Sequence, residues 1–430
     1  MAKPKLALIP AAQGSKLFSV LPSSGVGDFD FSRSGKATRI NSQGLIEEVS
    51  NGQSRLNYPM IDGKVVGCPH HILEPQRTNK VTYSEDFSNT VWNNSNEVIR
   101  TANATISPDG SLNAFDIKPT NINANHTLRA ENLGGFTSGA VVNVSFFAKQ
   151  NGYKYISVLG GFGSSNTPSV IFNLEDGLIE SGTGTIENYG NGWYRCISPI
   201  TLNSTALYCV ATILNDNLLG SFIGDNVKGI YVYGFQIEQG SYPTSYIKTN
   251  GSVVTRSAET ANDSGDAATF NDSEGVLMAE ISALVDDLTN RYLSISDGTA
   301  NNRILIRYVA GLSNTVGLFA VVGGTEQATL LYEVNDILDN IKVLIKYKQN
   351  DYSLWVNGFE VDTDTIGIVP SENTLDRLNF ANIDGSTFPF YGKTKQVQYY
   401  NSALTDSELE QLTSWTSFTD MAEGQLYTIE

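Results

Sequence analysis

Along most of this chain, apolar and polar residues alternate with a period of two, in short runs separated by clusters of Gly, Asn, Asp and Ser. That period belongs to half-buried β-strands, whose side chains point alternately to the two faces of a sheet. Residues 25–49 read as short strands or hairpins between glycines. Pro59, Pro69 and Pro75 keep the next stretch out of helix and out of a central strand. From Thr82 to Ala258 the pattern is regular and predicts strands at Val141–Phe147, Lys154–Leu159, Ser169–Phe172, Trp193–Ile197, Ala206–Ile213 and Ile230–Ile237. The polar run Arg256–Gly265 reads as a linker. A second series then predicts strands at Gly275–Ile281, Arg291–Ile295, Arg303–Tyr308, Val316–Val321, Ile341–Tyr347, Tyr352–Val356 and Lys395–Tyr400. Asn357-Gly358 between two apolar runs is a hairpin signal. One helix is predicted, Thr405–Trp415, where Thr405 and Glu408 form a capping box and Leu409, Leu412 and Trp415 share a face.

These elements give an all-β chain: a small irregular N-terminal segment followed by two antiparallel β-sandwich domains. The divisions are an anchoring or assembly segment at 1–80, sandwiches at 81–260 and 266–418, and a tail at 419–430. The first segment has too little apolar content for a core of its own and is expected to order against neighbouring chains. Composition narrows the function. A hydrophobic share of 40% excludes disorder. Against 45 Asp and Glu stand 28 Lys and Arg, a net charge of −17, which argues against nucleic acid as a partner. It also predicts that any attachment to an anionic cell surface depends only weakly on salt. Cys68, Cys196 and Cys209 form no Cys-x-x-Cys pair and read as free thiols from a reducing cytoplasm. The opening apolar run ends at Pro10, shorter than a secretory leader needs, and no later run approaches the roughly 18 apolar residues of a membrane helix, so no membrane insertion is expected.

Three blocks of sequence carry a resemblance. RSGKATRINSQGLIEEV, RLNYPMIDG and CPHHILEPQRTNKVTYSEDFSN together resemble the front of tailed-bacteriophage virion proteins. SEDFSNTVW and ISPDGSLNAFDI, closing on Tyr231–Arg256, resemble a carbohydrate-binding-module-like jelly roll. LWVNG and VQYYNSALTDSELEQL resemble a laminin-G-like, concanavalin-A-like sandwich of phage fibers. The resemblance covers about residues 28–415 and implies a virion structural protein, a tail or head fiber or adhesin, with lectin-like sandwiches. It implies other virion proteins as partners and self-association, frequently as homotrimers. Assembly in the host bacterial cytoplasm, with release by lysis, fits the cysteine usage. The alternatives are a purely structural head-fiber, decoration or connector protein and, third, a polysaccharide depolymerase.

Candidate sites follow from residue chemistry. Sugars present apolar faces that stack on Trp and Tyr rings, with polar neighbours fixing the hydroxyls. Tyr231 and Tyr233 share one strand face, and Phe162 and Trp355 are further candidates for glycan contact. Against this stands the general burial preference of strand aromatics. Three oxygen-rich loops are candidates for calcium: Asp225, then Asp263 with Asp266, then Asp362 with Asp364. The resemblance adds that such sandwiches often hold one structural calcium; no cofactor is otherwise required. His70 and His71 are adjacent and point to opposite sides of an extended chain, a poor start for a zinc site. No carboxylate pair or nucleophile elbow stands out, so no catalytic residue is assigned and the chain is not read as an enzyme.

Overall fold

Two β-sandwiches follow one another along the chain, and the N-terminal segment is built into both. The computed structural model describes residues 3–9, 11–13, 16–93, 95–162, 165–166, 170–383 and 387–414. In the first sandwich, a six-stranded sheet runs in the order Val98–Ile106, Leu112–Pro119, Gly229–Gln239, Val141–Asn151, Tyr194–Thr201 and Thr185–Asn188. It packs on a seven-stranded sheet centred on Tyr155–Phe162, Ala206–Leu214 and Ala124–Gly134. Alternation places Val142, Val144 and Phe146 against Ile156 and Val158 of the facing sheet. Cys196 and Cys209 enter this core from opposite sheets as buried free thiols.

The second sandwich packs a five-stranded sheet against an eight-stranded one. Its strand Glu274–Ala283 is buried on both faces: Leu277, Ala279 and Ile281 face the inter-sheet core, while Val276 and Met278 face the helix Asp406–Ser414. This explains why the run reads as nearly continuous apolar sequence. The helix closes with Leu409 and Leu412 on the sheet, and Thr405 N donates to Glu408 Oε2 at 3.1 Å, as the capping box predicts. Asn357 and Gly358 both adopt positive φ, as a tight hairpin between Tyr352–Val356 and Phe359–Asp364 requires.

The N-terminal segment orders on its own chain, and this corrects the expectation that it orders against neighbouring ones. Leu6–Leu8 and His70–Leu73 both pair with Gly392–Tyr400 and so enlarge the second sandwich's sheet. Leu6, Leu8, Leu17, Phe29, Phe31 and Leu73 lie in that sandwich's core. The hairpin formed by Ala37–Ile40 and Ile46–Val49 lies instead on the outer face of the jelly roll, where Ile46 meets Ala114, Phe147 and Trp193. The stretch read as a linker is also ordered: Val254–Arg256 pairs with Arg77–Asn79, and Thr260–Asn262 pairs with Phe29–Ser32.

A buried ionic cluster joins these parts. Arg55 donates Nε to Glu259 Oε1 at 2.9 Å and Nη2 to Glu74 Oε2 at 2.8 Å. Arg33 Nη1 reaches Glu259 Oε1 at 2.8 Å, and Arg256 Nη1 reaches Glu74 Oε2 at 2.6 Å. Ser245 N and Oγ donate to the Glu74 carboxylate, and Glu74 N donates to Glu259. Burial raises the carboxyl pKa values, but the arginine charges more than offset it and hold Glu74 and Glu259 below the usual carboxylate range. Charged residues in a polar run suggested solvent; here three guanidinium groups make burial of both carboxylates tolerable.

Candidate functional site

The rings proposed from sequence as a sugar platform are covered. Tyr233 is 2% exposed, and its hydroxyl lies between Glu85 Oε1 at 2.9 Å and Asp109 Oδ2 at 3.0 Å. Tyr231 is half-buried on the same face, packed on the cluster that contains Ile46 and Tyr246. This is the outer face of the six-stranded sheet, and residues 37–49 lie over it. Trp355 is 6% exposed because the helix Asp406–Ser414 covers the outer face of the other sandwich, and its Nε1 donates to Ser353 Oγ at 3.1 Å. Phe162 ends the strand Tyr155–Phe162, and its side chain lies outside the described residues.

The calcium candidates are engaged locally. Asp225 Oδ1 accepts from Val227 N and Lys228 N, which lowers its pKa. Asp266 Oδ1 accepts from Ala268 N, Thr269 N and Thr269 Oγ1, while Asp263 faces Arg377 at 3.5 Å. Asp362 Oδ2 accepts from Leu331 N, and Asp364 Oδ1 from Ile366 N. Among the described residues, no three His, Cys, Asp or Glu side chains gather as a metal site.

Where the segment covers the jelly roll incompletely, it leaves two clefts. The hairpin Met60–Ile61 to Lys64–Val65 turns through Asp62 and Gly63, both at positive φ. Its tip meets the turn at Gly190. A Cβ on Gly63 would lie 2.6 Å from the Gly190 backbone, and a Cβ on Gly190 would lie 2.5 Å from Gly63 O. Only glycine permits this approach. Asn188 Oδ1 accepts from Gly190 N, and Trp193 N donates to Gly190 O, which fixes the turn.

On one side of the Gly63–Gly190 contact lies a cleft of about 600 Å³. Tyr58, Tyr189 and Tyr194 line it with Asp62, Asp176, Glu187, Asn188, His70 and Lys393. The second sandwich supplies Lys393, so all three parts of the chain contribute. Tyr194 is held against Gly177, where a Cβ would lie 2.4 Å from the ring. Burial, then the Glu187 charge, pushes the Tyr189 hydroxyl up to about 12, so it remains a neutral donor. His70 is buried and accepts from the Asn57 amide at 3.2 Å; desolvation, then Lys393 and Lys395, lowers it to about 3 and keeps it neutral. On the other side lies a second cleft, of about 610 Å³, above Trp193 and Tyr189, with Leu45, Ile106 and Pro108 as walls. Trp193 Nε1 donates to Ile106 O at 3.0 Å. Both volumes fall in the range of roughly 300–1,000 Å³ usual for small-ligand sites. Tyr58, Tyr189 and the clefts themselves are not foreseen from sequence; the turn signals Asp62-Gly63, four residues after Tyr58, and Gly190-Asn191-Gly192, next to Tyr189, are the trace they leave there.

No family model matches the sequence, and no curated protein matches it. Among solved structures, the chain is similar to the Ruminococcus gnavus IT-sialidase CBM40 bound to α2,3-sialyllactose, at 18% identity and TM-score 0.30, over 34% of this chain and 86% of that one. It is also similar to domain 4 of AbnA, a GH43 extracellular arabinanase from Geobacillus stearothermophilus in complex with arabinotriose, at 12% identity and TM-score 0.30, over 36% of this chain and 73% of that one. A third is the native heptameric SAP-like pentraxin from Limulus polyphemus, at 12% identity and TM-score 0.28, over 34% of this chain and 71% of that one.

Proposed function

We propose that the chain is a non-enzymatic appendage protein of a tailed-bacteriophage virion and that it contacts host-surface glycans through the cleft under Tyr58. One observation carries the glycan reading: three tyrosines and converging amide, carboxylate and ammonium groups line a space of ligand size. Rings offer stacking surface, and the polar groups fix hydroxyls. The virion reading rests on the sequence blocks between Arg33 and Asn89, and the protein folds on this reading in the host cytoplasm. No cofactor is assigned. The test is a glycan array with the full chain and with Tyr58→Ala and Tyr194→Ala. Binding of a bacterial surface saccharide that both variants weaken supports the reading; absence of binding by a folded protein overturns it.

A second reading, a structural virion component without glycan contact, is favoured by one surface. The edge strand Phe359–Asp364 and the residues after it expose Phe359 at 72% and Ile366 at 77%. An apolar sheet edge of this kind suits self-association. Sedimentation of Phe359→Ser/Ile366→Ser tests it: an unchanged mass removes that edge from any oligomer contact.

A further inference from the structure

The cleft above Trp193 is at odds with the rest of the molecule in charge. The chain carries −17, yet this cleft is lined by Lys64 and Lys149 and by no Asp or Glu. Neither ammonium has an ion-pair partner among the described residues. Asp109, next to the wall residue Pro108, is turned away: its carboxylate accepts from Ser107 Oγ and Ser111 N at 2.7 Å and from Asn113 Nδ2 at 3.0 Å. Asp62, two residues from Lys64, lines the other cleft.

We propose that this second cleft binds an anionic sugar unit, one bearing a carboxylate or a phosphate. The proposal rests on the glycan reading and adds the ligand's chemistry. Trp193, 3% exposed and fixed by its bond to Ile106 O, is only the base of the cleft, and the apolar contact surface is Ile106 at 59% exposure. A sugar ring seated there places an acidic substituent within reach of two ammonium groups. Each has three donors and no competing carboxylate, the arrangement in which charge-assisted hydrogen bonds are strongest. The neighbouring cleft sets Asp62, Asp176 and Glu187 against Lys393 and repels an anion. A saccharide crossing the Gly63–Gly190 contact therefore puts its acidic unit on the lysine side and a neutral or amino unit on the tyrosine side.

The test uses the full chain on an array of bacterial oligosaccharides that includes uronate-containing, phosphate-containing and neutral members, at low and high salt. The bound saccharides are expected to be acidic. Reducing their carboxyl groups to alcohols should weaken binding about tenfold where the anion is a carboxylate and leave phosphate-bearing ligands unchanged, which separates the two sources. Lys64→Ala/Lys149→Ala should weaken binding by about the same factor, return the salt dependence to the weak one expected from the net charge alone, and leave Tm unchanged. Binding confined to neutral saccharides, or acidic binding indifferent to the double variant, overturns the proposal. If Tyr58→Ala abolishes binding in that case, the glycan reading stands without it. An array with no bound saccharide overturns both.

Discussion

The two sandwiches use the first 80 residues in different ways. The second takes strands from them into its sheet and six large apolar side chains into its core, whereas the jelly roll takes only a cover on one outer face. A core contribution and a cover are not equivalent. The second sandwich is incomplete without the segment; among the described residues, the jelly roll's apolar core takes no side chain from residues 1–80, and only Asn79 is buried against it, bonded to Phe235 O, Ile247 O and Ile237 N. The segment is thus a structural part of the domain furthest from it in sequence, and a lid on the domain that follows it directly.

Removing residues 1–80 should break this comparison most sharply. Burying one large apolar side chain is worth about 1.5–3 kcal/mol. Losing Leu6, Leu8, Leu17, Phe29, Phe31 and Leu73 thus removes on the order of 10 kcal/mol from a domain whose whole stability is about 5–15 kcal/mol. Residues 81–430 should show a molten second sandwich and a folded jelly roll, measured by hydrogen exchange. Protection retained in Glu274–Ala283 would contradict the assignment.

Next in size is the ionic cluster that fixes the two sandwiches to one frame. Glu259→Gln leaves Arg33 and Arg55 without their shared carboxylate, both at zero side-chain exposure. Breaking a buried pair from one side costs about 3–5 kcal/mol. Replacing Arg33, Arg55, Glu74, Arg256 and Glu259 together with apolar residues should cost less, because no uncompensated charge remains. Urea unfolding of both variants measures the contrast.

Acid should separate the sandwiches by a smaller amount. His71 is fully buried between Phe31 and Phe380, and neither ring nitrogen has a hydrogen-bond partner among the described residues. Desolvation lowers it to about 4, with Glu259 opposing and Arg55 assisting. Its unfolded pKa is about 6.5, so between these values the unfolded chain binds the extra proton. The stability is present above about pH 6.5 and is lost as pH falls toward 4, on the order of 2 kcal/mol by pH 5. His70, lowered to about 3 in the same strand, adds a loss of the same sign, so the loss of stability from pH 7 to pH 5 should fall on the second sandwich, and His71→Leu should remove roughly half of that slope. Equal acid sensitivity of both domains would count against it.

How much of this was legible depended on whether the cause was local. The strand expectations at Ala206–Ile213, Arg303–Tyr308 and Tyr352–Val356 match the observed strands to within a residue, because alternation is a local signal. The strands Val98–Ile106 and Leu112–Pro119 were not foreseen; VIRTANATI has polar residues at apolar positions because most of it is exposed or half-exposed. Tyr231 and Tyr233 were rightly placed on one face, but what covers that face comes from Ile46, about 185 residues earlier. Glu259 looked solvated because its arginine partners Arg33 and Arg55 lie more than 200 residues away. Long-range partners, not propensities, decided which rings and charges were buried.

The smallest effect probes the cover itself. Tyr194 belongs to the jelly roll, yet the cleft it lines exists only because Tyr58 and Asp62 reach over it from the segment. A jelly roll prepared alone, residues 81–250, should fold and still lose glycan binding, since half of the cleft wall is missing. In the intact chain, Tyr194→Ala removes one stacking surface and leaves the wall in place. Aromatic contacts of this kind are worth roughly 1 kcal/mol, about a fivefold loss of affinity. Tyr233→Phe removes a hydroxyl from the covered face and should leave affinity unchanged. If the isolated jelly roll binds as well as the full chain, the ligand sits elsewhere on its surface and the segment is a lid without a binding role.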